Sequence, residues 1–339
     1  MVALEETSRK INDPVAKLRY LRGSIAEYQD NLTRKDPKPQ RSTPLVASLA
    51  ATAVLAFGAA AWYFSRPTAA APETPATLPA VAEALPALPA GTQPASIWLV
   101  EKNDASEQYS NGLRIDTTWE VQGDPRRFRA FEAGRGMREE VQDKPIGILF
   151  HTSESDIWPL DESFNENLRT SSQNLLRYLQ KNHVYNYLID RFGRVFRVVT
   201  DETKANHAGH SVWTKDDAVY LGLNPSFLGV SFETRWEGGR ALPITAAQLA
   251  AGRNLTDWLR QRFEIPADMC TGHGLVSVNA KKHLIGHHVD WARGFPFEAF
   301  GLPDQYTRQA PHVALFGLGY DTDFLKVMGE PWPGVREAE

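Results

Sequence analysis

A single cysteine, Cys270, stands in 339 residues, so no internal disulfide can staple this fold and its core must hold by packing alone. No internal repeat appears, which argues against a solenoid, and no glycine-rich phosphate loop precedes a basic residue, which argues against nucleotide chemistry. Basic residues do not predominate either. With a net charge of −4 and no stripe of lysine and arginine interleaved with aromatics, the chain lacks the footprint of a nucleic-acid binder. Residues 67–94 lack aromatics and nearly all charge, consist largely of proline and alanine, and cannot bury a core. Such a stretch favours extended polyproline II at about 3.1 Å per residue, a reach of up to roughly 85 Å.

Just before this tether, Leu45 to Phe64 contains no charged residue and closes on Trp62-Tyr63-Phe64. Its length matches a bilayer's hydrocarbon core at about 1.5 Å rise per residue. Arg34, Lys35, Lys38 and Arg41 flank it on one side and only Arg66 on the other, which places the N-terminus in the cytoplasm. A cleaved signal peptide, cut near Thr68-Ala69-Ala70-Ala71, is the competing reading, but the basic region and the apolar run are both longer than such a signal needs. Asp13-Pro14 followed by Val15, Leu18, Leu21 and Ile25 has the spacing of a short amphipathic helix ahead of the span. The chain therefore divides into a cytoplasmic segment 1–43, a transmembrane helix 44–65, a linker 66–95, an extension 96–144 and a main domain 145–339. The reading is a single-pass membrane protein whose globular part is periplasmic or extracellular. Nothing in the sequence assigns an oligomeric state.

The globular part mixes two periodicities. Ile97–Val100 and Gly112–Ile115 suggest strands of the extension; Ile146–Phe150, Tyr185–Asp190, Val195–Val199 and Leu228–Phe232 suggest core strands, with a hairpin turn at Asp190–Gly193. Apolar residues at Leu168, Leu175, Leu176 and Leu179 predict a helix over 163–181, and Leu249, Leu255, Trp258 and Leu259 another over 245–263, with Thr245 able to cap it. This order predicts an α/β fold, a mixed central β-sheet flanked by helices.

His151 ends an apolar strand, His273 sits in Thr271-Gly272-His273-Gly274, and Asp290 opens Asp290-Trp291-Ala292-Arg293. Two imidazoles and one carboxylate are a catalytic zinc set, because they leave the fourth tetrahedral position to water. With nine histidines in the chain, spacing alone does not select this triple.

The surrounding text does. Ile148-Leu149-Phe150-His151-Thr152, Tyr185-Asn186-Tyr187-Leu188-Ile189-Asp190-Arg191-Phe192-Gly193, Asn206-His207-Ala208-Gly209 and Leu228-Gly229-Val230-Ser231-Phe232-Glu233 follow one another as in the type-2 N-acetylmuramoyl-L-alanine amidases, the family that includes the peptidoglycan recognition proteins. The resemblance covers about residues 145–305. It implies Zn2+ on His151, His273 and Asp290 and hydrolysis of the amide between N-acetylmuramic acid and L-alanine in peptidoglycan or a muropeptide. It further implies Glu233 as the proton acceptor, with His288 and Tyr185 as donors to the oxyanion and His207, Trp213 and Asn186 against substrate. Two departures stand out: Asn186 where many members have histidine, and a long loop carrying His283, His287 and His288. His288 competes with Asp290 as third ligand, and a register matching Gly286-His287 to the Gly-His motif competes with His273. Since some members of the family keep the groove and lose a ligand, a catalytically silent peptidoglycan-binding module is the alternative function.

Overall fold

The computed structural model describes residues 96–132, 135–237, 240–307 and 311–328. The cytoplasmic segment, span and linker expected over 1–95 lie outside the described residues; among those described, no helix is long and apolar enough to cross a membrane.

One eight-stranded mixed sheet organises the domain. Its strands are β1 (Leu99–Lys102), β2 (Ser106–Tyr109), β3 (Arg114–Asp116), β4 (Gly147–Thr152), β5 (Tyr187–Ile189), β6 (Val195–Arg197), β7 (Phe227–Phe232) and β8 (Cys270–Gly272), in the order β1-β2-β3-β6-β5-β7-β4-β8. β7 runs parallel to both β4 and β5, and β8 runs parallel to β4. Every residue of β4 and β7 is buried, which is why both read as unbroken apolar runs rather than as alternating ones.

Helix α1 (Asn165–Asn182) covers one face, setting Leu176 and Leu179 against Leu188, Phe196 and Val198. Helix α2 (Ala246–Phe263) contributes Leu255, Trp258 and Leu259 to the opposite layer, where Phe150 stacks on Phe295 at 4.2 Å. Thr245 caps α2 through a reciprocal box with Gln248, whose side chain also donates to the carbonyls of Ile189 and Glu233. Thr245→Ala is expected to lower stability by about 1 kcal/mol. A shifted denaturation midpoint at unchanged slope would register it; an unmoved midpoint would show that Gln248 holds the helix end unaided.

The extension is part of this sheet, with strands at 99–102 and 114–116 in place of the expected 97–100 and 112–115 and a third, β2, that the sequence reading passes over. β3 lies parallel to β6, pairing Ile115 with Val195. Arg197 of β6 donates to Glu107 of β2 at 2.7 Å and to Glu120 at 3.1 Å. Burial pushes the Glu107 carboxyl up, but hydrogen bonds from Arg197 and Lys102 outweigh it and bring it down to about 2.

Candidate metal centre

The strand β4 carries His151 to its C-terminal end, on the face that β7 shares through Ser231, its register partner. β8 ends at Gly272, and His273 begins the single-turn helix α3 (His273–Val276). Asp290 arrives from the long loop and is pinned to this turn by the Gly274 N–H, which donates to the Asp290 carbonyl at 2.8 Å. Gly272 permits the approach, since a Cβ there would lie 2.5 Å from the Trp291 carbonyl oxygen.

The three side chains converge. Their ligand atoms all lie within 4.8 Å of one another, and Asp290 places Oδ2 3.0 Å from His151 Nδ1 and Oδ1 2.8 Å from His273 Nδ1. The outer nitrogens face protein: His151 Nε2 is 3.1 Å from His207 Nδ1, and His273 Nε2 is 3.4 Å from the Ala208 carbonyl. Burial pushes the His151 imidazole down to about 4, against the pull of Asp290. Burial also penalises the Asp290 charge, but the neighbouring His273 and His151 more than offset this and hold the carboxyl far below the usual range. A neutral His151 and an ionised Asp290 are the protonation states a metal requires, and two nitrogens with one carboxylate suit zinc with a place left for water. The donor set therefore fits the ion.

Asp290, not His288, lies with His151 and His273 in the group of side chains among the described residues that could hold a metal ion. His288 stacks on His273 with ring centroids 4.9 Å apart and leaves its own ring exposed at the rim. Tyr185 adopts a left-handed backbone (φ 57°), sets its ring 4.8 Å from that of His151, and donates to the Thr152 carbonyl at 3.4 Å. Burial raises its hydroxyl well above the ordinary tyrosine value, so it stays a donor.

Four of the residues expected at the site do other work. Glu233 is not brought to the cluster: its carboxylate accepts from Ser172 Oγ of α1 at 2.8 Å and from the Arg191 N–H at 3.3 Å, and burial raises its pKa. Asn186 is wholly buried, accepting from the Gly229 N–H at 3.0 Å and from Arg126 at 3.3 Å while donating to the Val199 carbonyl. Trp213 is also buried, its ring 5.4 Å from that of His312, and forms no groove wall. His207 has both ring nitrogens committed within the protein, to His151 and to the Phe227 carbonyl at 3.2 Å.

One carboxylate at the rim escapes the sequence reading. Glu154, three residues past His151, is exposed, accepts from the Thr152 hydroxyl and from the Trp236 N–H at 3.1 Å, and has a left-handed φ of 54°. Burial of part of the carboxyl raises its pKa, and the negative charge of Asp290 adds to the rise. Next to this loop lies a cavity of about 370 Å³ lined by Ser155, Trp158, Asn167, Thr170, Ser171 and Asn174. Its walls offer hydroxyls, amides and an indole, with the Asp156 carboxylate and Leu175 completing them.

Residues 129–293 match a family described as N-acetylmuramoyl-L-alanine amidase. Among solved structures, the chain is similar to AmpDh3 from Pseudomonas aeruginosa in complex with an anhydromuramic pentapeptide, at 20% identity over 57% of this chain and 77% of that one, with a TM-score of 0.35. It is similar also to the amidase AmiD from E. coli in complex with the substrate anhydro-N-acetylmuramic acid-L-Ala-D-γ-Glu-L-Lys, at 19% identity over 52% and 69% of the two chains (TM-score 0.35). The amidase LysC from Clostridium intestinale URNW gives 16% identity over 53% and 92% (TM-score 0.29). No curated protein matches the chain.

Proposed function

With residues 129–293 belonging to the N-acetylmuramoyl-L-alanine amidase family, we propose that this chain is a zinc-dependent amidase that cleaves the bond between the lactyl carbonyl of N-acetylmuramic acid and the nitrogen of L-alanine. The observation that carries the reading is the convergence of His151, His273 and Asp290 inside the family segment, with both imidazoles turning Nδ1 to one point.

Zinc bound there supplies Lewis acidity and a water acidified to about pKa 7. The chain's own residues do the rest. Glu154 replaces Glu233 in our assignment of the proton acceptor, because it stands at the open rim and couples electrostatically to Asp290, whereas the Glu233 carboxylate is tied to α1. It takes a proton as the water oxygen bonds to the lactyl carbon, and returns it to the alanine nitrogen as the C–N bond breaks. Tyr185 and His288 flank the two histidine ligands and can donate to the oxygen that gains charge.

We further propose that the span 44–65 and its tether deliver this domain to a polymer layer outside the membrane, a reading supported by the uncharged run, its basic flank and the proline-rich linker.

Kinetics on muropeptide separate the two glutamates. Glu154→Gln is expected to lower kcat by about 10²–10⁴-fold with the fold intact, and the product to carry a free amino group on L-alanine. Glu233→Gln is expected to retain most of its rate. The reverse ranking would return the proton-transfer role to Glu233, and a product lacking the alanine amino terminus would sink the amidase reading.

A further inference from the structure

The outer nitrogens of both candidate ligands converge on two consecutive residues. His207 Nε2 lies 3.2 Å from the Phe227 carbonyl, which can only accept a hydrogen bond. The Nε2 proton of His207 therefore sits on that contact, and Nδ1 presents its lone pair. Nδ1 is 3.1 Å from His151 Nε2, so His151 must be the donor between them. With its proton on Nε2, a neutral His151 keeps a lone pair on Nδ1, and because the Asp290 carboxylate 3.0 Å away also only accepts, that contact calls for a cation shared by the two. His273 has an acceptor at each nitrogen, Asp290 Oδ1 at 2.8 Å from Nδ1 and the Ala208 carbonyl at 3.4 Å from Nε2, so with an ion on Nδ1 its proton goes to Nε2 and the Ala208 carbonyl receives it.

The loop that supplies both acceptors is itself fixed. Asn224 Oδ1 accepts from the backbone N–H groups of His207 and Ala208, at 3.0 and 2.7 Å. Arg126 donates at 3.1 Å to the same Phe227 carbonyl that receives His207. The imidazole of His207 lies flush on β7 because residue 229 is glycine; a Cβ there would come within 2.7 Å of the His207 ring.

We propose that His207 is a positioning residue for the metal centre, which, together with the Ala208 carbonyl, locks His151 and His273 in the Nε2-protonated tautomer and so presents both Nδ1 atoms to the ion. This rests on the zinc reading above and deepens it, since a ligand's outer hydrogen bond sets its tautomer, orientation and basicity.

The test uses the full chain with His207→Asn, which keeps an acceptor near the place of Nδ1, and His207→Leu, which has nearly the same shape and no acceptor. Zinc affinity is read by competition with a chromophoric chelator, and the absorption of the cobalt-loaded protein reports the ligand field. The Leu variant is expected to bind zinc about 10–100-fold more weakly, with a changed cobalt spectrum, while the Asn variant stays close to wild type. Equal affinities in two folded variants would overturn the proposal. Should the Leu variant not fold, the imidazole ¹⁵N shifts of His151 in metal-free wild type decide. An Nε2-protonated ring supports the lock, and an Nδ1-protonated ring refutes it. A wild type that binds no zinc yet shows the Nε2 tautomer would count against the metal and leave the hydrogen-bond relay standing.

Discussion

Alanine in place of Asp290 is expected to strip zinc from the full chain and to slow muropeptide cleavage by more than about 10³-fold, several kcal/mol of transition-state stabilisation. The carboxylate is the hinge of the cluster, reaching one imidazole with each oxygen, at 3.0 and 2.8 Å. Without it, two imidazoles remain with no anion to balance a dication. His288→Ala is the matched control. Its ring stacks on His273 but stays outside the group of donor atoms, so the variant is expected to keep its metal and lose about 10²-fold in rate, the scale of a lost oxyanion donor. Metal analysis beside the assay on the same samples checks both. Zinc retained in Asp290→Ala and lost in His288→Ala would move the third ligand to the loop histidine.

The second large effect is expected at Arg126. This side chain is 1% exposed and donates to the carbonyls of Asp201, Pro225 and Phe227 at 2.7, 2.9 and 3.1 Å, and to the Asn186 side chain at 3.3 Å. Burial lowers its pKa to about 10, so it still carries its charge at neutral pH. Arg126→Met keeps much of the volume and removes every donor, leaving buried carbonyls unmet and taking one favourable charge from Asp201, which keeps Arg197 and Arg262. The expected loss is about 3–5 kcal/mol, read from the denaturation midpoint. A loss under about 1 kcal/mol would mean that water satisfies these carbonyls instead. Because Arg126 lies just upstream of residues 129–293, the large loss would also show that the extension is integral to the folded domain.

What was legible follows from where the physics is local. β4 and β7 announce themselves as apolar runs because they are buried on both faces, and α2 announces its start because Thr245 and Gln248 lie three residues apart. The candidate triple was picked out through the residues around it, not through its spacing. β2 stayed hidden because its buried residues include Ser106 and Glu107, and the glutamate is tolerated only because Arg197 reaches it from 90 residues away.

The same long-range pairing explains the misplaced residues. Strand alternation puts Glu233 on the face of Ser231 and His151, as expected of a base, but Ser172 of α1 claims its carboxylate. Asn186 sits between Tyr185 and Tyr187 in a stretch that resembles a site, yet its amide spends itself on β7 and on Arg126. Glu154 carried no signal, since its value comes from the turn that returns it to the rim beside Trp236.

The most direct test of the account is removal and return of the metal. The full chain is stripped with a chelator and titrated with zinc while release of stem peptide from muropeptide is followed. The account predicts that cleavage disappears on stripping and returns in full at one zinc per chain. Cleavage that survives chelation, or a zinc-loaded protein that binds muropeptide and never cuts it, would contradict it.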